Sequence, residues 1–193
     1  MQAGASAISV LTDKTFFGGC NQDLTTARKF NFCPILRKEF IIDEYQIIEA
    51  KSIGADAILL IAACLTKNEI ESFTNLAINL GLEVLLELHE EAEIEKITDK
   101  INIIGINNRN LKTLEIDLQT SFNLINKLPK EKTKVAESGI ETVESILKLK
   151  QAGYSGFLIG SYFMKHPEPS IACKEFIASL QNETTKNSLS YAS

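Results

Sequence analysis

The chemistry in this chain is concentrated in four short strings: Leu36-Arg37-Lys38-Glu39-Phe40, Leu85-Leu86-Glu87-Leu88, Gly105-Ile106-Asn107-Asn108-Arg109 and Ala136-Glu137-Ser138-Gly139. Each is an apolar run ending abruptly in groups that move protons or bind anions. A fifth string, Leu158-Ile159-Gly160-Ser161, ends in small residues with free backbone N–H groups. In Ile35–Phe40 a period of two puts Leu36, Lys38 and Phe40 on one face. A lysine set between two apolar side chains is partly desolvated, which lowers its pKa and suits it to proton donation. Position alone equally describes a solvated strand-end lysine. Glu87 closes a strongly apolar run, and a carboxylate there is costly unless paired or used. His89 shares its alternating face and reads as an ordinary loop residue. Asn107 and Arg109, two apart, offer an amide and a guanidinium that can orient a carboxylate or hydroxyl, unless the run only caps a turn. Ser138-Gly139 and Gly160-Ser161 are each ordinary turn chemistry. On consecutive strand ends, each followed by a helix, they make a phosphate signal, because backbone N–H groups and a helix start can hold the anion.

Seven strand-then-helix units position these groups. Strands are expected at Ala7–Leu11, Ile35–Lys38, Ala57–Ile61, Glu83–Glu87, Ile103–Asn107, Lys134–Glu137 and Gly156–Ile159. Helices are expected near Leu24–Lys29 and at Glu44–Ile53, Lys67–Leu80, Glu90–Ile97, Leu118–Leu128, Thr142–Ala152 and Ser170–Leu180. Asp43 reads as an N-cap, Thr66 with Glu69 as a capping box, and Gly54, Gly81 and Gly153 as helix stops. The segment from Gln181 to Ser193 is polar and aperiodic, and is expected to be a disordered tail after a domain spanning 1–180. Such alternation argues for a parallel sheet with helical crossovers. Seven units fit an open doubly wound sheet or an eight-stranded barrel lacking one unit. Function at nearly every strand end favours the barrel.

The bulk numbers agree with one ordinary domain: 193 residues, 45% hydrophobic, with a net charge of −5 and no Lys/Arg stripe for nucleic acid. No apolar run approaches the ~20 residues of a membrane helix, and no leader pattern opens the chain. Cys20, Cys33, Cys64 and Cys173 lack metal or disulfide spacing and read as reduced thiols of a cytoplasmic protein.

In wording and order these strings resemble the indole-3-glycerol phosphate synthase family of tryptophan biosynthesis, from about Met1 to Leu180. The linking phrases Ser9-Val10-Leu11-Thr12-Asp13 and Leu111-Lys112-Thr113-Leu114-Glu115 extend the likeness. The resemblance implies a TIM (β/α)8-type barrel, here with units two to eight, and a carboxy-lyase. The reaction would close the ring of 1-(2-carboxyphenylamino)-1-deoxyribulose 5-phosphate, releasing carbon dioxide and water. By the same resemblance Lys38 is the general acid, Glu87 an acid–base glutamate, and Asn107 and Arg109 further catalytic residues. Phe17, Phe40, Leu59, Leu60, Leu111 and a rim residue, Glu137, line the substrate pocket. Ser138, Gly139, Gly160 and Ser161 hold its phosphate. No metal or organic cofactor is implied. The family's first strand, with a Glu-x-Lys element, should precede Met1, so this chain is expected to be inactive alone and prone to self-association through unpaired edges. A non-catalytic fragment or assembly partner, or another phosphate-sugar barrel such as phosphoribosylanthranilate isomerase, are the alternatives.

Overall fold

The computed structural model describes residues 3–190. Seven parallel strands lie side by side in chain order: β1 (Ile8–Leu11), β2 (Ile35–Lys38), β3 (Ala57–Ile61), β4 (Glu83–Leu88), β5 (Ile103–Asn107), β6 (Thr133–Glu137) and β7 (Gly156–Leu158). Helical segments cross between them: α1 (Asn21–Phe30), α2 (Glu44–Ser52), α3 (Lys67–Asn79), α4 (Gln119–Leu124) and α5 (Val143–Ala152), with α6 (Ser161–Met164) and α7 (Pro169–Ser190) following β7. Strands adjacent in sequence and in space, each parallel to the last, give a sheet that curls the same way at every step, as in a (β/α) barrel. No switch point of a doubly wound sheet interrupts the order. Among the described residues no pairing joins β1 to β7, so the curl is open on that side.

Side-chain alternation splits the core into two layers. Ile35, Ile58, Leu60, Leu86, Ile104, Ile106 and Ala136 face outward and pack beneath the helices. Leu36, Leu59, Ile61 and Leu85 form a separate cluster on the concave face, with Phe40, Ile103, Val135 and Leu158 against it. Each strand therefore sends one set of residues under the helices and the other toward the interior. The interior set is the one that ends in Lys38, Glu87, Asn107 and Glu137.

The start signals act as their chemistry requires. The Asp43 carboxylate accepts the Tyr45 N–H, and Thr66 and Glu69 cap each other at α3. Gly54, Gly81 and Gly153 all sit at positive φ, where a Cβ would be strained. Two helices are weaker than their periodicity implied. The segment expected at Glu90–Ile97 is a 3₁₀ turn over Glu91–Lys96, and α4 gives way to 3₁₀ geometry at Ile125–Lys127. The polar segment from Gln181 does not lack regular structure, because α7 continues through it to Ser190. No glycine or proline falls between Ser170 and Ser190 to stop the helix. Residues 191–193 of that expected tail lie outside the described residues.

Candidate active site

The register of the sheet brings three charged residues from three strands to one point. Glu87 lies opposite Gly105, and Asn107 opposite Glu137. Lys38 Nζ, from β2, donates to Glu137 Oε2 at 3.0 Å and to Glu87 Oε2 at 3.2 Å. The carboxylates are nearly sealed, with side chains 2% and 1% exposed, while the Lys38 side chain keeps 13%. Glu137 is thus not a rim residue; it sits at the centre of the cluster, and its other oxygen, Oε1, has no hydrogen-bond partner.

Gly105 makes this possible. A Cβ there would collide with Glu137 Oε1, so the Glu137 side chain crosses β5 through space that only glycine leaves open.

Burial and charge push the three groups apart in pKa. Burial pulls Lys38 downward, but the two carboxylates together outweigh it and raise the ammonium to about 12. Desolvation alone would have lowered it, so the expectation of an acidified lysine is corrected. Glu137 is raised to about 7, first by burial and then by the charge of Glu87. Glu87 is held at about 2: burial opposes its charge, and His89 and Lys38 overcome that cost. Two carboxylates in one pocket with widely separated proton affinities are the usual mark of divided acid and base roles.

The aromatic slot assembles beside this cluster. Asp13 Oδ1 accepts the Phe16 and Phe17 N–H groups, and the Gly19 N–H closes the loop on the Asp13 carbonyl at 2.8 Å. The loop then lays Phe17 on Phe40, stacked with ring centroids 4.9 Å apart, and Phe16 at 5.1 Å from the same ring. Phe40 is itself anchored by its N–H to Glu39 Oε1 at 2.9 Å, and Glu39 Oε2 takes the Thr12 hydroxyl at 2.7 Å. Leu59 belongs to the concave layer and floors this region. Leu60 does not; one residue along the strand it turns outward into the sheet–helix core.

Beyond β5 the candidates separate. Asn107 is buried, and its Oδ1 accepts the Arg109 N–H at 3.0 Å. The Arg109 guanidinium instead reaches the Leu114 carbonyl at 3.3 Å, inside a loop closed by Asn110, which accepts from Lys112 and Thr113. Leu111 rides on that loop and is exposed. Neither Arg109 nor Leu111 joins the Lys38 cluster.

Asn108, unassigned in the sequence, is a structural staple. Its amide N–H₂ donates to the Glu137 and Ser138 carbonyls, and its Oδ1 accepts from the Ser121 N–H and hydroxyl. The staple holds the end of β6 in a turn where Ser138 has φ +66° and Gly139 φ +74°. Gly160, two residues past the end of β7, caps the four-residue α6, which begins at Ser161. The two small-residue turns therefore follow neighbouring strands, β6 and β7.

His89 is the residue that the sequence undervalued. Its Nε2 lies 3.2 Å from Glu87 Oε1 and its Nδ1 3.8 Å from Glu93 Oε2, with the side chain 10% exposed. These carboxylates hold the imidazole above its ordinary pKa against the opposing effect of burial. The available signal was the shared alternating face with Glu87.

A parallel, curled β/α sheet with a lysine–carboxylate cluster in its concave mouth defines a barrel of the (β/α) class. Its solved neighbours include KGPDC from Streptococcus mutans (TM-score 0.68, 15% identity, covering 92% of this chain and 86% of that one). A second is the tryptophan synthase a2b2 complex from Pyrococcus furiosus (TM-score 0.64, 18% identity, 84% and 73% covered). At these identities the likeness is one of fold. The family model for indole-3-glycerol phosphate synthase matches residues 1–176. Synthases of that name from Bacteroides thetaiotaomicron and Polynucleobacter asymbioticus are 50% and 47% identical over 94% and 91% of this chain. The chain belongs to the indole-3-glycerol phosphate synthase family. It spans 70% and 66% of the length of those two relatives.

Proposed function

We propose that this site carries out indole-3-glycerol phosphate synthesis from 1-(2-carboxyphenylamino)-1-deoxyribulose 5-phosphate. The observation that carries the reading is Lys38 held between Glu87 and Glu137, next to the stacked Phe17 and Phe40. In ring closure the aryl carbon bearing the carboxylate attacks the ketose carbonyl, and charge develops on the carbonyl oxygen. Lys38, firmly protonated at rest, donates there; an alkoxide is far more basic than an amine, so a pKa of about 12 still permits the transfer. Loss of carbon dioxide restores the aromatic ring. Dehydration then needs a base for the adjacent C–H and a proton for the departing hydroxyl. Glu87, ionised, is the base, and Glu137 is a second proton carrier at the same point. Asn107 orients the sugar hydroxyls, and Arg109 the carboxylate once its loop closes over the ligand. The turns at Ser138-Gly139 and Gly160-Ser161 hold the phosphate, whose binding energy positions the reacting end.

The test is indole product fluorescence, measured on the 193-residue chain and on the same chain preceded by a first βα unit bearing a Glu-x-Lys strand. Turnover is expected in the extended form, with the 193-residue chain much slower. Lys38→Ala in the active form should lower kcat by about 10²-fold or more. A near-normal kcat would remove Lys38 as the general acid, and no product from either form would overturn the reading.

A further inference from the structure

Glu87 is held from two sides, and only one of them is Lys38. Its Oε2 faces the ammonium at 3.2 Å; its Oε1 faces His89 Nε2, also at 3.2 Å. Behind the imidazole stands Glu93, whose Oε2 is 3.8 Å from His89 Nδ1. Glu93 is itself fixed, because that same oxygen accepts the His89 backbone N–H at 2.6 Å and the Glu90 N–H at 3.4 Å. The row Glu93–His89–Glu87–Lys38 thus alternates acid and base from the start of the 3₁₀ turn to the centre of the site.

We propose that His89 is a positioning residue for Glu87: as an imidazolium seated between Glu93 and Glu87, it fixes the orientation and the ionised state of the working carboxylate. The proposal rests on the functional reading above.

Three arguments support it. First, both ring nitrogens are buried without an aligned hydrogen bond, yet each has a carboxylate at charge-contact distance. A neutral ring has only one N–H and would leave one of those carboxylates facing a lone pair, whereas the doubly protonated ring offers a donor to each. Second, the charged groups facing the ring from every side favour the cation. They are Glu87 on β4, Glu93 on the turn and, farther off, Glu137 on β6. Of the lysines around it, Lys96 is directed at the Ala62 and Leu65 carbonyls and Lys127, across the same pocket, at Glu91, while burial and then Glu87 and Glu93 raise the Cys64 thiol and keep it protonated. Third, a base whose orientation is set by a third group is a recurring catalytic arrangement. Here the outer carboxylate orients the ring and the ring orients the base. Without His89, Glu87 would compete with Glu137 for one proton, and the division between base and proton carrier would blur.

The experiment uses the full chain and needs no turnover for its first arm. The sequence has two histidines, so imidazole ¹⁵N NMR with His166→Asn as the assignment control isolates His89. His89 is expected to titrate above the ordinary ~6.5, and to fall by about half a unit or more in Glu93→Gln and in Glu87→Gln. A second arm measures kinetics in the active form. His89→Gln should lower kcat about tenfold with little change in KM, and move the acid limb of the kcat profile upward by about one pH unit as Glu87 becomes easier to protonate. An imidazole titrating at its ordinary value and indifferent to Glu93→Gln overturns the proposal. So does an unmoved acid limb, which is what a purely structural histidine would leave. If no form of the protein makes product, the functional reading falls and the NMR arm alone decides for or against His89.

Discussion

A cation enclosed with two carboxylates cannot be assigned an acidity from its own surroundings alone, because each group's proton depends on the other two. Lys38 goes up although it is buried, Glu87 goes down although it is buried, and Glu137 receives the residual cost. Linkage turns that cost into a measurable slope. Glu137 has a folded pKa of about 7, above the ordinary 4.5, so the folded chain binds this proton more tightly than the unfolded one. The resulting stability is fully present below pH 4.5 and is lost as pH rises through about 7. Glu87 runs the other way, contributing above 4.5 and losing its contribution only as pH falls toward about 2. Replacing Glu137 with Gln removes the ionisable burial. Urea denaturation of Glu137→Gln against the parent, from about pH 5 to about pH 8, should therefore show the variant gaining relative stability with rising pH, by on the order of 2 kcal/mol, while activity is lost. A variant that loses ground as pH rises would sink this account of where the proton resides. At this scale the sequence pointed to the right side chains but not to their charge states. Alternation placed Lys38 and Glu87 on one face; nothing local revealed that Glu137, 99 residues beyond Lys38 in the chain, would be its closest partner.

The strands were legible because buried parallel strands read as continuous apolar runs, and their ends were marked by the abrupt arrival of polar groups. β2, β3 and β5 occupy the ranges their sequences imply. Helix character was less legible. Glu91–Lys96 has the charge and spacing of a helix but forms 3₁₀ geometry, its first turn tightened by Glu93 folding back to the His89 and Glu90 N–H groups. The error on Leu60 has an equally simple cause: two adjacent leucines in a strand cannot face the same layer. The turns after β6 and β7 offer a clean test of what those strand ends are for. At Gly139 a Cβ would collide with the Ile116 side chain and φ is positive, so any substitution mixes strain with function. At Gly160 a Cβ would meet nothing within 4 Å, and the φ of −125° lies outside the left-handed region. Gly160→Ala should thus leave stability within about 0.5 kcal/mol of the parent. If a phosphate lies against this backbone, the added methyl should raise KM about tenfold, equivalent to one charge-assisted hydrogen bond. An unchanged KM would move the phosphate site elsewhere.

For the molecule as a whole, the order β1 to β7 leaves two sheet edges among the described residues, at Ile8–Leu11 and at Gly156–Leu158. A barrel has no edges because closure pairs its last strand with its first, and an unpaired strand presents a row of N–H and C=O groups to any partner. β1 reads Ile-Ser-Val-Leu and β7 Gly-Phe-Leu, without a charge or a proline, and Leu11 is left 39% exposed. We propose that the 193-residue chain self-associates through these strands. Light scattering coupled to size exclusion should give a mass that rises with concentration across roughly the micromolar range. Placing a first βα unit ahead of Met1 should return a monomer with a higher Tm, because one added strand can pair with both edges at once. Ser9→Pro should reduce association without restoring activity: with the Ile8 and Thr12 N–H groups bonded to β2, alternation turns that of Ser9 toward the open edge, so the edge is blocked but the barrel is still open. A 193-residue chain that stays monomeric at all these concentrations and unfolds in one sharp transition would mean that its edges are already satisfied, and that the open curl closes by some other contact.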